Sequence, residues 1–444
     1  MDIKTGNIKK LFFHYLFAGM GSSVISSIYT TVDTMASGQY EGPVATAALS
    51  VITPIFTLFM CLSLLIGIGG AIPMSILRGE GDEEKSNEFF TLSLFYGIIV
   101  CAICTAFISI FREDFLRLCG ANDEVLPYAL AYIKWVIVAI PAFFLGVILS
   151  VFIRNDGAPF LAMLSVICGG VFNIFGDIFF VFTLDMGIEG AGLATMLGQM
   201  VSIAILFTHF LKNKCKLKIV KPKKILKKTL HIAQMGFSPF IVDLSYGFVV
   251  LIFNNQIMRY SNATYLAIYG ALAAATILIQ SLFYGVGQAI QPLASVNFGD
   301  RNFGRVSSIL KYALITSIVM GLLFFSVAIC FPEAILRMYM DATDEIIEHG
   351  TVIVRIFSFA FLTLGINVVS SYFLQAIELS SSALIISLLR GFVICLILLF
   401  LLPAAFGFGA IWLTLPLTEL MTLVFVIFVL RRKRAHFQKR SASE

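Results

Sequence analysis

Twelve apolar runs, each long enough to cross a bilayer, set the hydropathy pattern of this chain. They cover roughly 11–36, 47–76, 89–111, 128–152, 160–183, 188–211, 232–257, 264–293, 307–331, 347–376, 381–403 and 407–430. A spanning helix needs about 20 apolar residues. The polar breaks between the runs are too short for a soluble domain. The pattern therefore predicts an all-α integral membrane protein with twelve transmembrane helices. The first run follows Lys4, Lys9 and Lys10 but has no clear cleavage site, so it reads as the first span and not as a removed leader.

The runs repeat. Gly67-Ile-Gly-Gly-Ala-Ile72 matches Gly285-Val-Gly-Gln-Ala-Ile290, and Gly81-Asp82 matches Gly299-Asp300. Phe111 to Leu118 matches Phe331 to Met338, Lys134 matches Arg355, and Leu145-Gly146 matches Leu364-Gly365. Gly190-Ala191 and Thr195 match Gly409-Ala410 and Thr414, with the offset staying between 218 and 221 throughout. A collinear series of this kind signals internal duplication. The expected organisation is an N-terminal six-helix lobe (1–211), a lysine-rich linker (212–231), a C-terminal six-helix lobe (232–430) and a basic tail (431–444). Six spans per half make the halves parallel repeats, and such folds place their substrate in a central cavity between the bundles. The mildly amphipathic segments 111–122 and 331–341 are expected at the outer interface.

Composition supports this class and excludes others. Of 444 residues, 59% are apolar and 13% charged, far from the balance of a soluble protein. The mean hydropathy is +0.94. Net charge is +5, but placement is more informative: 212–228 holds nine lysines, 431–440 holds six Lys and Arg, and 37–46, 184–190 and 403–408 hold none. The positive-inside rule then predicts a multi-pass protein of the bacterial inner-membrane type with both termini in the cytoplasm. The lysines suit anionic lipid beside a topology determinant better than nucleic acid. The eight cysteines lie mostly in apolar runs, and Cys101-x-x-Cys104 has no second pair at metal spacing. No phosphate-binding glycine loop and no nucleophile–base–acid set is present, so neither an enzyme nor ATP-driven transport is expected. No cofactor is expected, and the chain is expected to act as a monomer.

The chemistry sits in the first half. Asn173 and Asp177, four apart in an apolar run, share one helix face. A carboxylate there costs roughly 2.5–3.5 kcal/mol on insertion scales, which makes it a functional candidate. At an offset near 219 the pair falls on about Phe392 and Leu396, and Asp33 maps approximately, at an offset of 221, to Asn254, so these charges belong to one half only. Thr195 is kept as Thr414. Asp33, Asn173, Asp177 and Thr195 offer hard oxygen donors suited to Na⁺. Desolvation favours a protonated carboxyl, so H⁺ suits them as well. The plainer alternatives are that Asp33 caps a helix end and that Asp177 pairs with Lys134 or Arg154. A second candidate is a substrate cavity built on Asp243, Gln280 and Gln288, with Gln291 nearby. There, acceptors and aromatic faces would hold an ammonium group, unless they serve only as helix–helix hydrogen bonds. Arg355 and Arg390, within spans, are expected to snorkel or to pair with carboxylates.

At these residues the chain resembles the multidrug and toxic compound extrusion (MATE) family, over nearly its whole length. The resemblance rests on Val32-Asp33-Thr34, Gly79 to Asp82, Arg154-x-x-Gly157-x-Pro159, Asn173-x-x-x-Asp177 and Gly187-Ile-x-Gly-Ala191-x-x-x-Thr195. It implies an antiporter that exports amphipathic, often cationic small molecules in exchange for H⁺ or Na⁺. It also implies a cation site in the N-terminal lobe at Asp33, Asn173, Asp177 and Thr195. Some branches of the family carry further acids in spans 7 and 10. Here span 10 has no carboxylate between Glu348, at its start, and Glu378, which argues against a second cation site. A flippase for lipid-linked precursors or polysaccharide shares the implied fold and is the alternative; Lys134, Arg154, Arg355 and Arg390 are its candidate phosphate ligands. A membrane receptor that transports nothing is the third reading.

Overall fold

A computed structural model describes residues 2–340 and 343–441, and the regular structure in them is helical. The first half runs α1 (Ile8–Glu41), α2 (Pro43–Glu80), α3 (Glu83–Leu118), α4 (Leu126–Asn155), α5 (Pro159–Gly176) and α6 (Gly187–Phe207). The second runs α7 (Ile225–Tyr260), α8 (Ala263–Gly299), α9 (Phe303–Cys330), α10 (Pro332–Tyr339), α11 (Asp344–Ser358), α12 (Phe361–Ala376), α13 (Ser380–Leu388), α14 (Ile394–Phe406) and α15 (Thr414–Ser441). Among the described residues eleven spans are long and apolar enough to cross a membrane, and the bent pair α11–α12 makes a twelfth. The chain is thus an all-α, multi-pass membrane protein. The tenth span, expected unbroken over 347–376, bends by 41° between α11 and α12. There the Ser358 hydroxyl donates to the Arg355 carbonyl at 2.7 Å and competes with the helical ladder.

Two spans contain π-helical turns: Asp177–Thr183 continues α5, and Leu389–Val393 joins α13 to α14. Such turns are frequent at functional sites. The two amphipathic segments differ. In the first half the chain stays helical to Leu118 across a break at Phe111 (φ −106°, ψ 21°). In the second, Pro332 begins the separate α10, as expected of a residue with no N–H to lose at a helix start. Asp341, at the end of that segment, lies outside the described residues.

The α2–α3 and α8–α9 junctions show where sequence identity and structural role part. Gly81 takes a left-handed φ of 90°, and Asp82 caps α3 by accepting the Lys85 N–H at 3.0 Å. In the second half the left-handed residue is Arg301 (φ 56°), and the cap is Asn302, which accepts the Arg305 N–H at 3.2 Å. The roles therefore fall two residues later than the Gly299-Asp300 match.

The chain divides into two compact units: Met1–Gly6 with Phe17–Phe240, and Asn7–Leu16 with Ile241–Glu444. The first is centred on Ile52, Ile55, Phe59, Phe90, Phe144 and Phe152, all fully buried. Small residues let its helices cross closely, as in membrane interiors generally. A Cβ on Gly236 would lie 1.9 Å from the Leu65 carbonyl oxygen, and one on Gly69 would lie 2.2 Å from that of Ile232. These glycines dock the start of α7 onto α2. The second unit is centred on Phe253, Phe283, Phe357, Phe361 and Trp412. The lysine-rich segment lies along the start of α3. The Lys218 N–H donates to Asn87 Oδ1 at 3.1 Å, Val220 N–H to Thr91 Oγ1 at 3.0 Å, and Lys223 N–H to Glu88 Oε2 at 2.5 Å. Lys228 pairs with the same buried Glu88.

Candidate functional site

The first unit gathers Asp33, Asn173, Asp177 and Thr195 from α1, α5, the π turn and α6. Glycines make the gathering possible. A Cβ on Gly169 would meet the Gly198 carbonyl oxygen at 2.7 Å, and one on Gly176 would meet the Ala194 Cβ at 2.9 Å, so α5 and α6 lie nearly backbone to backbone. A Cβ on Gly192 would lie 2.8 Å from the Tyr132 carbonyl oxygen, which draws α4 against α6 in the same way.

A residue not singled out from the sequence links the group. The Tyr132 hydroxyl donates to Asp33 Oδ2 at 3.0 Å and lies 3.2 Å from Thr195 Oγ1. Asn173 Nδ2 donates to the same Thr195 oxygen at 3.2 Å. A phenol has one hydrogen, so with that hydrogen on Asp33 the threonine must donate to the tyrosine. The bonds then run one way: Asn173 to Thr195 to Tyr132 to Asp33. Four acceptors remain. Asp33 Oδ1, Asn173 Oδ1 and both carboxylate oxygens of Asp177 are buried and have no hydrogen-bond donor among the described residues. Asp177 is fully buried. An unsatisfied buried carboxylate is costly, and a proton or a hard cation would relieve that cost.

The plainer alternatives for these acids fit less well. Asp33 lies well inside α1 and caps neither end. Lys134 is spent on Glu189 at 2.9 Å, with the Trp135 indole N–H on the same carboxylate oxygen at 3.3 Å. The repeat carried a signal for Tyr132: at the offset that pairs Lys134 with Arg355, its counterpart is Ile353, so the hydroxyl also belongs to one half.

In the second unit, Gln280 lines a cavity of about 80 Å³ and donates to the Tyr284 hydroxyl. Gln288 is partly buried on α8 and is not among the residues lining that cavity. Asp243 lies on α7, but its side chain is outside the described residues. The cavity is walled instead by an ion pair. Arg390 Nε donates to Glu419 Oε1 at 2.8 Å, and Asn367 Nδ2 donates to Glu419 Oε2 at 2.7 Å. Glu419, a lone carboxylate within an apolar span, was open to the rule that flagged Asp177.

A third cluster lies where α4 and α6 end. Ligand atoms of Asp156, His209 and Cys215 fall within 4.8 Å of one another. Asp156 is already committed to Arg78, to His209 Nε2 at 2.6 Å and to the Lys216 N–H at 3.1 Å. Burial pushes the Cys215 thiol up, which keeps it neutral. The cluster reads as a tie between chain segments and not as a metal centre.

The MatE family model matches residues 20–179 and 240–401, one stretch in each half. The chain belongs to the MatE family. Within MatE, it is 28% identical over 431 residues to the multidrug export protein MepA of Staphylococcus aureus (strain MRSA252), covering 95% of this chain and 94% of that protein. It is 26% identical over 425 residues to MepA of Staphylococcus saprophyticus, covering 94% and 93%. An outward-facing multidrug resistance MATE family transporter of the MOP superfamily has the same fold, with a TM-score of 0.90 at 19% identity over 98% of this chain and 97% of that one. So does a MOP superfamily transporter of Pyrococcus furiosus, with a TM-score of 0.89 at 19% identity over 98% and 97%.

Proposed function

We propose that this MatE protein is a secondary active antiporter that exports amphipathic, cationic small molecules in exchange for H⁺ or Na⁺. The observation that carries the reading is the buried Asp177 carboxylate, left without a donor beside the Asn173–Thr195–Tyr132–Asp33 chain. The multidrug export named for its S. aureus relative supports the substrate class. On this reading the cation enters from outside and is held by Asp177, Asp33 and Asn173, with Thr195 and Tyr132 positioning them. Binding favours drug release, and loss of the cation to the cytoplasm resets the carrier by a rocking motion of the two bundles. Coupling requires that the ion bind the two states with different affinity. The protein works without a cofactor, as a monomer in a plasma membrane of the bacterial inner-membrane type, with both termini and the lysine-rich linker cytoplasmic. The flippase alternative loses one of its phosphate ligands, because Lys134 is paired with Glu189.

The test is efflux of a fluorescent lipophilic cation from proteoliposomes under separately imposed pH and Na⁺ gradients. The wild type should respond to one gradient, and Asp177→Asn should fall to the empty-liposome rate. Undiminished gradient-driven efflux in Asp177→Asn and Asp33→Asn would exclude the site.

A further inference from the structure

The ion pair of the second unit has no counterpart in the first half. At the repeat offset near 219, Asn367, Arg390 and Glu419 fall on Ile148, Val171 and Met200, so the first half builds the same spans from apolar residues. Apolar residues of similar size generally replace a buried ion pair without loss. The pair is nonetheless deeply set: side-chain exposures are 10% for Arg390 and 1% for Glu419. Ionisable groups at such positions in a span mark function by default. Arg390 also lies on the π-helical turn Leu389–Val393.

The two charges are unequally committed. Glu419 has one oxygen on Arg390 and the other on Asn367, whose amide also reaches the Glu419 carbonyl oxygen at 2.8 Å. Arg390 gives Glu419 one of its five N–H donors and hydrogen-bonds Tyr284 with another, and its side chain lines the cavity. A guanidinium presents a planar fork that matches a carboxylate. Most of the remaining wall is apolar. Phe253 and Tyr269, stacked on one another at 4.5 Å and 6°, line it together with Val249 and Val250.

We propose that this cavity, inside the C-terminal unit, is a binding site for an aromatic carboxylate. The carboxylate takes the N–H donors that Arg390 has beyond those on Glu419 and Tyr284, and the ring lies among Phe253, Tyr269 and Val250. A cation is the poorer ligand here, because Arg390 and Asn367 already occupy both oxygens of Glu419. A small inorganic anion would leave the aromatic wall uncovered. The site rests on the second unit alone and stands whether or not the first unit couples to an ion.

The test is ¹⁹F NMR line broadening of 4-fluorobenzoate, 4-fluorobenzamide and 4-fluorobenzylammonium with the full chain in nanodiscs, corrected against empty nanodiscs. The wild type should bind the carboxylate at least tenfold more tightly than either analogue. Arg390→Gln should lose that preference, and Arg390→Lys should keep part of it. Arg390→Gln leaves Glu419 unpaired and is open to misfolding. Two further variants therefore carry the same test: Arg390→Gln with Glu419→Gln, which removes both charges, and Ala273→Leu, which fills the cavity and spares the pair. Each should lose the carboxylate by tenfold or more. Wild-type binding in the double variant and in Ala273→Leu would overturn the site. So would a preference for the ammonium probe that Glu419→Gln abolishes.

Discussion

Tyr132 holds a single hydroxyl proton between two of the polar groups in the N-terminal unit, and its substitution has a definite sign. Donation to Asp33 favours the unoccupied carboxylate. Tyr132→Phe removes that donor, and hydrogen bonds to charged groups are worth about 1.5–3 kcal/mol. The coupling cation should then bind at least tenfold more tightly. Turnover should fall because release to the inside is impeded. Titrating the ion dependence of efflux in proteoliposomes measures both. Equal or weaker cation affinity would contradict the direction of the hydrogen-bond chain. Asp33, Asn173, Asp177 and Thr195 were legible from the sequence because polar groups stand out in apolar runs and the second half supplies an internal control. Tyr132 was not, because a tyrosine in a span is ordinary and only its contacts distinguish it. Glu419 was legible in principle but had no partner in view until Arg390, 29 residues away, was folded beside it.

At the scale of elements, the site depends on how closely α5 and α6 pack. A side chain at Gly169 meets both the Gly198 carbonyl oxygen and Ser202 Oγ, the latter at 1.9 Å. Overpacking of this kind costs about 1–3 kcal/mol. Gly169→Leu should therefore lower the thermal midpoint in detergent and part Asn173 from Thr195. Gly146, within α4, has nothing within 4 Å of a built Cβ. There Gly146→Ala should be neutral or stabilising by up to about 1 kcal/mol. Equal effects at the two sites would show that crowding is not what fixes the crossing. Hydropathy located every span. It did not reveal the π turns or the bend between α11 and α12, since these depend on which carbonyls lose their ladder partners and not on polarity. The Gly-Asp match was likewise a sequence identity whose structural role had moved to Arg301 and Asn302.

At the scale of the whole molecule, the lysine-rich segment is a strap fastened along α3. Glu88 carries it: the carboxylate is 3% exposed and takes both the Lys223 N–H and the Lys228 ammonium. Glu88→Ala strands both, and trypsin should then cut within 212–228 several-fold faster. Glu83→Gln removes only an exposed pair with Lys216, 62% exposed on each side. Such pairs are worth about 0–1 kcal/mol, so its cleavage rate should stay near wild type. The duplicated plan was legible because repeats leave collinear matches. The asymmetry between the halves was legible in part, from the acids that lack a counterpart, but the pairing of Arg390 with Glu419 was not, because it rests on a contact.

The central claim is that Asp177 and its neighbours hold a cation that drug binding displaces. The most direct measurement is cation release from purified protein on addition of tetraphenylphosphonium, followed with a pH indicator for H⁺ and with ²²Na⁺ for Na⁺. Wild type should release one of the two ions in proportion to protein, and Asp177→Asn should release neither. Release from Asp177→Asn at the wild-type level would place the coupling ion elsewhere and contradict the account.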